Sequence, residues 1–325
     1  MKALLCTHYG TPDDLVLSDI PDPTPAAGQA VIRVHSAALN FFDTLIIAGK
    51  YQRKPPFPFS PAAEFAGVVE SLGTGVTAVK VGDRVMGYDG NTGGARERVA
   101  VVAERLIKMP DGLDFDRAAG LSVTYGTTLY GLKDRGDLKA GETLAVLGAS
   151  GGVGVAAIEV GKLMGARVIA CASSPEKLAF AREHGADECI DYSKEDLKEA
   201  LRRVTGGRGV DVIYDPVGGS YAEPALRSMA WLGRYLVIGF AAGEIPKMPL
   251  NLVLLKSCDV RGVLWGGWSE RDVAGHRANT LQLIDWVVEG KLSPHIQAAY
   301  SLADGPAALK AIAARKVMGK VVLHP

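Results

Sequence analysis

The sequence lacks the features that mark disulfide-stabilised, membrane-spanning or strongly charged proteins. It has only four cysteines in 325 residues, and no two of them form a C-x-x-C pair. Its longest uncharged run near the core, from Thr143 to Ile158, is rich in glycine and is shorter than the roughly 20 residues that a membrane helix needs. Lysine and arginine together number 36, as do aspartate and glutamate, so the formal net charge is zero.

Each of these absences excludes a class of function. The cysteines and the six histidines are scattered along the chain, so we predict buried thiols and no metal site. A net charge of zero gives no general attraction to nucleic acid or to anionic membranes, and we expect a small-molecule partner instead. The opening segment "MKALLCTHYG" has too short an apolar run for a secretory signal, so the expected location is cytoplasmic.

The texture of the sequence changes along the chain. Residues 1 to about 120 contain short β-like runs separated by Gly, Pro and Asp turns, which predicts an irregular β domain. From Gly141 onward, short apolar runs alternate with amphipathic stretches. The runs are "TLAVLG", "RVIACA", "ECIDY", "VDVIYD", "RYLVIGF" and "DVRGVLW". Runs this apolar indicate strands buried on both faces, so we predict an α/β fold with a doubly wound parallel sheet.

Helix-capping residues support this assignment. Ser174, Pro175 and Glu176 have the residue types of an N-cap, a first helical position and an acidic first turn, and Gly185 is the expected stop. Ser193 followed by Asp196 predicts the start of a second helix, which "TGGRG" would end. The tail offers one helix, in "HRANTLQLIDWVVEGKLSP", and a late strand, in "GKVVLHP", that we expect to return to the first domain.

The glycine-rich stretch "LGASGGVG" lies between a predicted strand, ending at Gly148, and a predicted helix. Such a turn places free N–H groups and a helix dipole at one point, where a dinucleotide diphosphate binds. The full G-x-G-x-x-G pattern would need glycine at position 149, where alanine stands, and a tight turn without ligand is the alternative. The residues predicted to hold the diphosphate are Gly148, Ser150, Gly151, Gly152 and Val153.

The strand after this helix bears on the choice between NAD and NADP. An acidic residue at its end normally binds the ribose 2′-hydroxyl and repels a 2′-phosphate. The segment "ACASSPEK" has no acid at that point and offers Ser173, Ser174 and Lys177 instead. These residues favour NADPH as the cofactor, unless Lys177 is simply a solvated helix residue.

Several blocks of the sequence together carry a family resemblance. They are "LNFFDTLIIAGKY", "PFSPAAEFAGVVESLGTGV", "VKVGDRVMGY", "GASGGVG", "GADECIDYSKEDL", "VIYDPVGG", "GRYLVIGFAAG" and "GKVVL". In identity and order they resemble the quinone oxidoreductase, or zeta-crystallin-like, branch of the zinc-independent medium-chain dehydrogenases/reductases. The resemblance runs nearly from end to end.

The resemblance implies a Rossmann domain, residues 122–264, inserted into a GroES-like catalytic domain of residues 1–121 and 265–325, with the cofactor in the cleft between them. The catalytic zinc ligands of related alcohol dehydrogenases correspond to Asn40 and Ala63, and the lobe that carries their structural zinc is missing. Reduction of an activated acceptor is therefore favoured over alcohol oxidation. The family also implies a homodimer, in which "DVRGVLW" could pair across a two-fold axis.

The same resemblance assigns roles to individual residues. Asn40 and Asp43 would line the cleft beside the nicotinamide, and Tyr51 corresponds to a tyrosine proposed as proton donor in enoyl thioester reductases. The alternative is a purely structural role for each residue, with Asp43 as a helix cap and Tyr51 as a packed aromatic side chain. Further cofactor contacts are implied for Thr127 or Thr128, and for Tyr192, Gly239 and Phe240.

The function predicted from these residues is NADPH-dependent, zinc-independent reduction of a quinone or another α,β-unsaturated carbonyl. Such an acceptor needs orientation and modest polarisation of its oxygen rather than a strong acid or base. One alternative is an enoyl thioester reductase in which Tyr51 donates the proton. The other is a non-enzymatic, crystallin-like role, for which RNA binding is disfavoured by the absence of a basic run.

Overall fold

The structure is a computed structural model that describes all 325 residues. Its strands are β1 (Lys2–Leu5), β2 (Val16–Asp19), β3 (Gln29–Leu39), β4 (Glu64–Leu72), β5 (Arg84–Tyr88), β6 (Arg98–Val102), β7 (Ile107–Lys108), β8 (Thr143–Leu147), β9 (Arg167–Ala172), β10 (Glu188–Asp191), β11 (Val210–Asp215), β12 (Met229–Val237), β13 (Asp259–Gly262), β14 (Ile296–Ser301) and β15 (Lys320–His324).

The α-helices alternate with strands mainly in the middle of the chain. They are α1 (Phe41–Ile47), α2 (Phe115–Ala119), α3 (Thr124–Leu129), α4 (Gly152–Leu163), α5 (Pro175–Glu183), α6 (Leu197–Val204), α7 (Ala222–Arg227), α8 (Leu250–Lys256), α9 (Trp265–Arg271), α10 (Val273–Val288) and α11 (Gly305–Ala313). A π-helical segment, Tyr130–Arg135, continues α3. None of the helices is both long enough and apolar enough to span a bilayer.

The chain divides into two compact units. Unit 1 comprises Met1–Val123 and Thr280–Pro325, and unit 2 comprises Thr124–Asn279. Unit 2 therefore ends at Asn279, beyond residue 264, where the resemblance places the end of the Rossmann domain. Residues 265–279 stay with unit 2 because Trp268 stacks on Tyr130, with ring centroids 4.2 Å apart.

Unit 2 contains the predicted parallel sheet, and all six apolar runs form its strands. The strand order is β10-β9-β8-β11-β12-β13, and every neighbouring pair is parallel. β8 and β11 are fully buried, as expected for strands covered on both faces. The chain reverses its direction of winding between β8 and β11, and such a switch point opens a crevice at the carboxyl ends of the strands.

Unit 1 is built on a seven-stranded sheet of order β14-β15-β3-β4-β5-β7, with β6 also paired to β3. The predicted return of the tail is confirmed, because β15 pairs antiparallel with β3. Its core includes Ile32, Phe65 and Leu323, each at most 1% exposed. The sheet thus joins segments from both ends of the sequence around one core.

Two local expectations need correction. The helix predicted to start after Ser193 begins at Leu197, because Asp196 is the residue that caps it, accepting a hydrogen bond from the Glu199 N–H. The Ser193 hydroxyl instead bonds Asp191 Oδ1 at 2.6 Å. In addition, β14 and α11 were not anticipated from the sequence of the tail.

Candidate functional site

The glycine turn of unit 2 has the geometry of an anion-binding helix start. β8 ends at Leu147, and Gly151 is the N-cap of the twelve-residue helix α4. Ser150 is buried, whereas Gly151, Gly152 and Val153 are half-buried. The first N–H groups of a helix have no partner within it and carry the positive end of its dipole. The turn can therefore bind a diphosphate.

Two glycines are required here for different reasons. Gly148 has φ +61°, a left-handed backbone conformation that residues other than glycine rarely adopt. A Cβ atom on Gly154 would lie 2.3 Å from the Gly148 carbonyl oxygen, whereas one on Gly151 would meet nothing closer than 3.5 Å. Gly154 thus allows α4 to approach the preceding turn, and Gly151 leaves open the space in front of the helix.

The residues proposed for the 2′-phosphate come together after β9. Ser174 caps α5, accepting a hydrogen bond from the Lys177 N–H. The Lys177 ammonium lies 3.4 Å from the Ser173 hydroxyl. The N–H of Tyr192, which follows β10, donates to the carbonyl of Ala172 at 3.1 Å, so this tyrosine lies beside the same strand end. The cluster contains two hydroxyls, an ammonium and an aromatic ring, together with the Glu176 carboxylate, whose pKa is lowered by a hydrogen bond from Ser174.

The remaining predicted cofactor residues lie in unit 2 near the ends of β11 and β12 and in α3. Asp215 Oδ1 accepts hydrogen bonds from the N–H groups of Val217 and Gly218, and burial raises the pKa of this carboxyl group. Gly239 donates its N–H to the Asp215 carbonyl at 3.3 Å. Phe240 follows Gly239 in the loop after β12 and is exposed.

Thr127 lies in α3, where it is 8% exposed. Its neighbour Thr128 is turned inward, since its hydroxyl lies 2.9 Å from that of Tyr214. Successive helical residues point about 100° apart, so Thr127 faces a different direction. Of the two threonines, Thr127 is the better candidate for a ligand contact.

In unit 1 the three predicted catalytic residues are neighbours. The Asn40 N–H donates to Asp43 Oδ2 at 2.7 Å, and the Ala62 N–H donates to Asp43 Oδ1 at 3.0 Å. Tyr51 stacks on Phe42 with ring centroids 5.6 Å apart. Burial, and then the nearby Asp43 carboxylate, raise the pKa of the Tyr51 phenol.

Asp43 has the contacts of a structural residue. It is 2% exposed, it caps the start of α1, and it holds Ala62, whose φ is +63°. Burial raises the pKa of Asp43 to about 7, against the stabilising effect of the two N–H donors and of Lys320. Both carboxylate oxygens already accept hydrogen bonds from the backbone, which favours the role of a helix cap over contact with substrate.

A buried ion pair beside Asn40 was not anticipated from the sequence. Lys320 Nζ donates to Glu64 Oε1 and to Asn40 Oδ1, each at 2.7 Å, and to the Leu39 carbonyl at 2.8 Å. Asn40 Nδ2 donates to Glu64 Oε1 at 2.9 Å. The signal was present in "AAEFA" and "GKVVL", where single charges stand in buried apolar strands, because such charges are normally paired.

No group of three or more His, Cys, Asp and Glu side chains is arranged to hold a metal ion. Ala63 follows the strained Ala62, and it is buried, as is Asn40. Asn40 and Ala63 occupy the positions where the resemblance places the zinc ligands of alcohol dehydrogenases.

Comparison with known proteins identifies the family. The model described as "Alcohol dehydrogenase GroES-like domain" matches residues 26–111, and the one described as "Zinc-binding dehydrogenase" matches residues 152–281. The quinone oxidoreductase-like protein 2 homolog of Nematostella vectensis is 38% identical over 326 residues, which cover 99% of this chain and 88% of that protein. The chain belongs to the quinone oxidoreductase branch of the medium-chain dehydrogenases/reductases.

Other quinone oxidoreductases also match this chain over its full length. The quinone oxidoreductase of Pseudomonas aeruginosa is 34% identical over 325 residues, covering 100% of this chain and 99% of that protein. The crystal structure of Escherichia coli quinone oxidoreductase complexed with NADPH superposes with a TM-score of 0.93 at 28% identity, and the match covers 100% of both chains. The expected combination of a GroES-like domain with a Rossmann-type parallel sheet is thereby confirmed.

Proposed function

We propose that this oxidoreductase uses NADPH to reduce a quinone or another α,β-unsaturated carbonyl compound. The observation that carries the proposal is the glycine turn at the start of α4, together with the family membership of the whole chain. The Escherichia coli relative was solved with NADPH, which supports the same cofactor here. When bound, NADPH would supply a hydride to the acceptor, and one proton taken from water would complete the two-electron reduction.

The residues of this chain fit the cofactor. Gly152 and Val153 would hold the diphosphate through their N–H groups. The Gly151 N–H already donates to the Gly148 carbonyl at 3.1 Å, so Gly151 would contribute by having no side chain that blocks the approach. Ser173, Ser174 and Lys177 would hold the 2′-phosphate, since no acidic residue directly follows the strand end at Ala172. The carboxylate of Glu176 lies in the same cluster, where it accepts a hydrogen bond from Ser174. Gly148 and Ser150 complete the proposed diphosphate turn, and Thr127, Tyr192, Gly239 and Phe240 remain proposed contacts with other parts of the dinucleotide.

Unit 1 contributes the proposed acceptor contact. A quinone already accepts hydride readily, so the protein mainly has to orient it and polarise its oxygen. Asn40 is the candidate for that polarisation because its side-chain amide is a hydrogen-bond donor held in place by a buried ion pair. Asp43 would act indirectly, by holding the backbone of Asn40 and Ala62.

An enoyl thioester reductase remains the alternative enzyme, with Tyr51 as proton donor. The half-buried ring of Tyr51 packs on Phe42, so a packing role explains it equally well. Tyr51→Phe keeps the ring and removes the hydroxyl. A quinone reductase should keep its turnover in this variant, whereas an enoyl reductase should lose about 10²-fold or more.

The family also leads us to propose a homodimer formed through the β13 edge of unit 2. β13 is the last strand of its sheet. Large apolar side chains are exposed on this strand, on the neighbouring β12 and on α8; they are Trp231, Leu232, Leu250, Leu254, Leu255 and Val260. Groups of exposed large apolar side chains are typical of protein–protein interfaces. Sedimentation of Val260→Lys against the wild type would test it, since a dimer through this edge should dissociate.

The function is tested by following oxidation of NADPH and NADH in parallel with quinones, enones and a crotonyl thioester. We expect saturable turnover of a quinone or enone, with NADPH preferred. Turnover of the thioester alone would favour the alternative enzyme, and no turnover with any acceptor would contradict the proposal. The predicted cytoplasmic location can be tested by cell fractionation.

A further inference from the structure

We propose that Lys320 and Glu64 are positioning residues that lock the side-chain amide of Asn40 in one orientation and present it as a hydrogen-bond donor to the carbonyl oxygen of the acceptor. The contact with the acceptor rests on the proposed function. The locked orientation does not, because it follows from the contacts within unit 1.

The first step is that the cluster permits only one orientation of the amide. Asn40 Oδ1 lies 2.7 Å from the ammonium of Lys320, and Nδ2 lies 2.9 Å from the carboxylate of Glu64. Rotating the amide by half a turn would set an NH₂ group against an ammonium and a carbonyl against a carboxylate. Both contacts would become repulsive in a buried place, where charges are poorly screened.

The second step is that nearly every hydrogen-bonding group of the cluster already has a partner. The three N–H bonds of Lys320 go to Leu39 O, Asn40 Oδ1 and Glu64 Oε1. Glu64 is fully buried, and its second oxygen, Oε2, accepts the Val123 N–H at 2.7 Å. The one donor left in the cluster is the second N–H of the Asn40 amide, since an amide nitrogen carries two.

The third step concerns the strength of that donor. An ammonium bonded to the amide oxygen draws electron density away from the nitrogen, so its remaining N–H becomes a better donor. Hydride addition to a quinone or enone leaves negative charge on the carbonyl oxygen. A fixed donor at that oxygen stabilises this charge without reorganising during the reaction. The buried pair thereby fixes and strengthens the one amide donor that is left in the cluster.

Unit 2 supplies a matched control. Lys133 Nζ donates to Asn279 Oδ1 at 3.0 Å, and Asn279 Nδ2 donates to Asp134 Oδ2 at 2.8 Å. Asn279 is therefore held between an ammonium and a carboxylate in the same way, but nothing places it near the chemistry. Lys133→Met should release this amide and leave acceptor reduction unchanged.

The orientation can be measured without any cofactor. The chain contains four asparagines, Asn40, Asn91, Asn251 and Asn279, so selective ¹⁵N labelling of asparagine side chains yields a spectrum with few NH₂ signals to assign. We expect the Asn40 pair to exchange slowly with water, and Glu64→Gln/Lys320→Met to speed its exchange by about tenfold. Lys133→Met should change only the Asn279 pair. An Asn40 signal unchanged in the double variant would overturn the locked orientation.

The role in the reaction is measured by kinetics. The variant Glu64→Gln/Lys320→Met removes both charges of the pair together, and with them one attractive and one repulsive effect on Asp43, so it should fold. We expect its kcat/KM for the acceptor to fall about tenfold or more, with the Kd for NADPH unchanged. Adding Asn40→Ala should then cause no greater loss than Asn40→Ala alone, because the pair acts through Asn40.

Independent, multiplying losses would overturn the positioning role, as would equal losses in Lys133→Met. A double variant that fails to bind NADPH would also contradict the proposal, because it would show a general structural role. If the wild type reduces no acceptor, the proposed function fails while the exchange measurement still decides whether the amide is locked.

Discussion

In unit 2 the groups that would face a ligand are mainly backbone N–H groups, whereas in unit 1 they are side chains held by buried charges. The turn from Gly148 to Gly154 depends on the absence of Cβ atoms and on the start of α4. The cluster of Asn40, Glu64 and Lys320 depends on three residues that are far apart in the sequence. They meet because Glu64 and Lys320 lie on β4 and β15, which flank β3, and Asn40 directly follows β3. The first kind of site should be sensitive to added volume, and the second to an unpaired charge.

The largest effect is expected where the charge balance of unit 1 is broken. Lys320→Met leaves the fully buried Glu64 carboxylate without its cation, which should lower the free energy of unfolding by about 3–5 kcal/mol. Glu64→Gln/Lys320→Met should recover most of this loss. Denaturant titration of the single and double variants measures both, and equal destabilisation would show that pairing is not what matters.

The same unit should show a pH dependence that comes from Asp43. Its pKa is raised from 3.8 to about 7 in the folded protein, so the folded state binds more protons than the unfolded state between these values. Stability due to this group should therefore fall as pH rises from about 4 to about 7, at most by about 1.4 kcal/mol per pH unit. Asp43→Asn should remove that slope. Unfolding curves of both proteins across this range, compared at each pH, test the assignment.

Added volume in unit 2 should separate folding from binding. In Gly154→Ala the new methyl meets the Gly148 carbonyl, and the strain should lower the free energy of unfolding by about 1–3 kcal/mol. Gly151→Ala has space within the protein and should keep its stability while binding NADPH more weakly. Gly112→Ala, where a Cβ meets nothing within 4 Å, is the control for both. Normal NADPH binding by Gly151→Ala would argue against a diphosphate at this turn.

The smallest effect concerns the choice of cofactor. Lys177→Ala removes the ammonium near Ser173 and should weaken NADPH binding by about tenfold, the value of one exposed charge-assisted contact. NADH, which lacks the 2′-phosphate, should bind as before. Equal losses for both cofactors would mean that Lys177 does not contact the 2′-phosphate.

The contrast between the units also explains what could be predicted from the sequence. The six strands of unit 2, the Ser174 cap and the glycine turn are local patterns, and the structure confirms each of them. Asp196 replaced Ser193 as a cap because Ser193 found a nearer partner in Asp191. These features could be predicted because the residues that form them are close together in the sequence.

The cluster around Asn40 could not be predicted from the sequence in the same way. Glu64 and Lys320 lie in motifs that were recognised, but their pairing depends on strand register between β3, β4 and β15. Likewise, nothing near Asp43 in the sequence indicates that its second oxygen holds Ala62. Interactions that join distant segments depend on the completed sheet, which sequence periodicity does not specify.

The central claim is that the start of α4 binds NADPH for the reduction of a carbonyl acceptor. Calorimetric titration of the purified chain with NADPH and with NADH tests it most directly. We predict saturable binding of NADPH, tighter than that of NADH and weakened by Gly151→Ala. Absence of saturable binding of either dinucleotide would contradict the account.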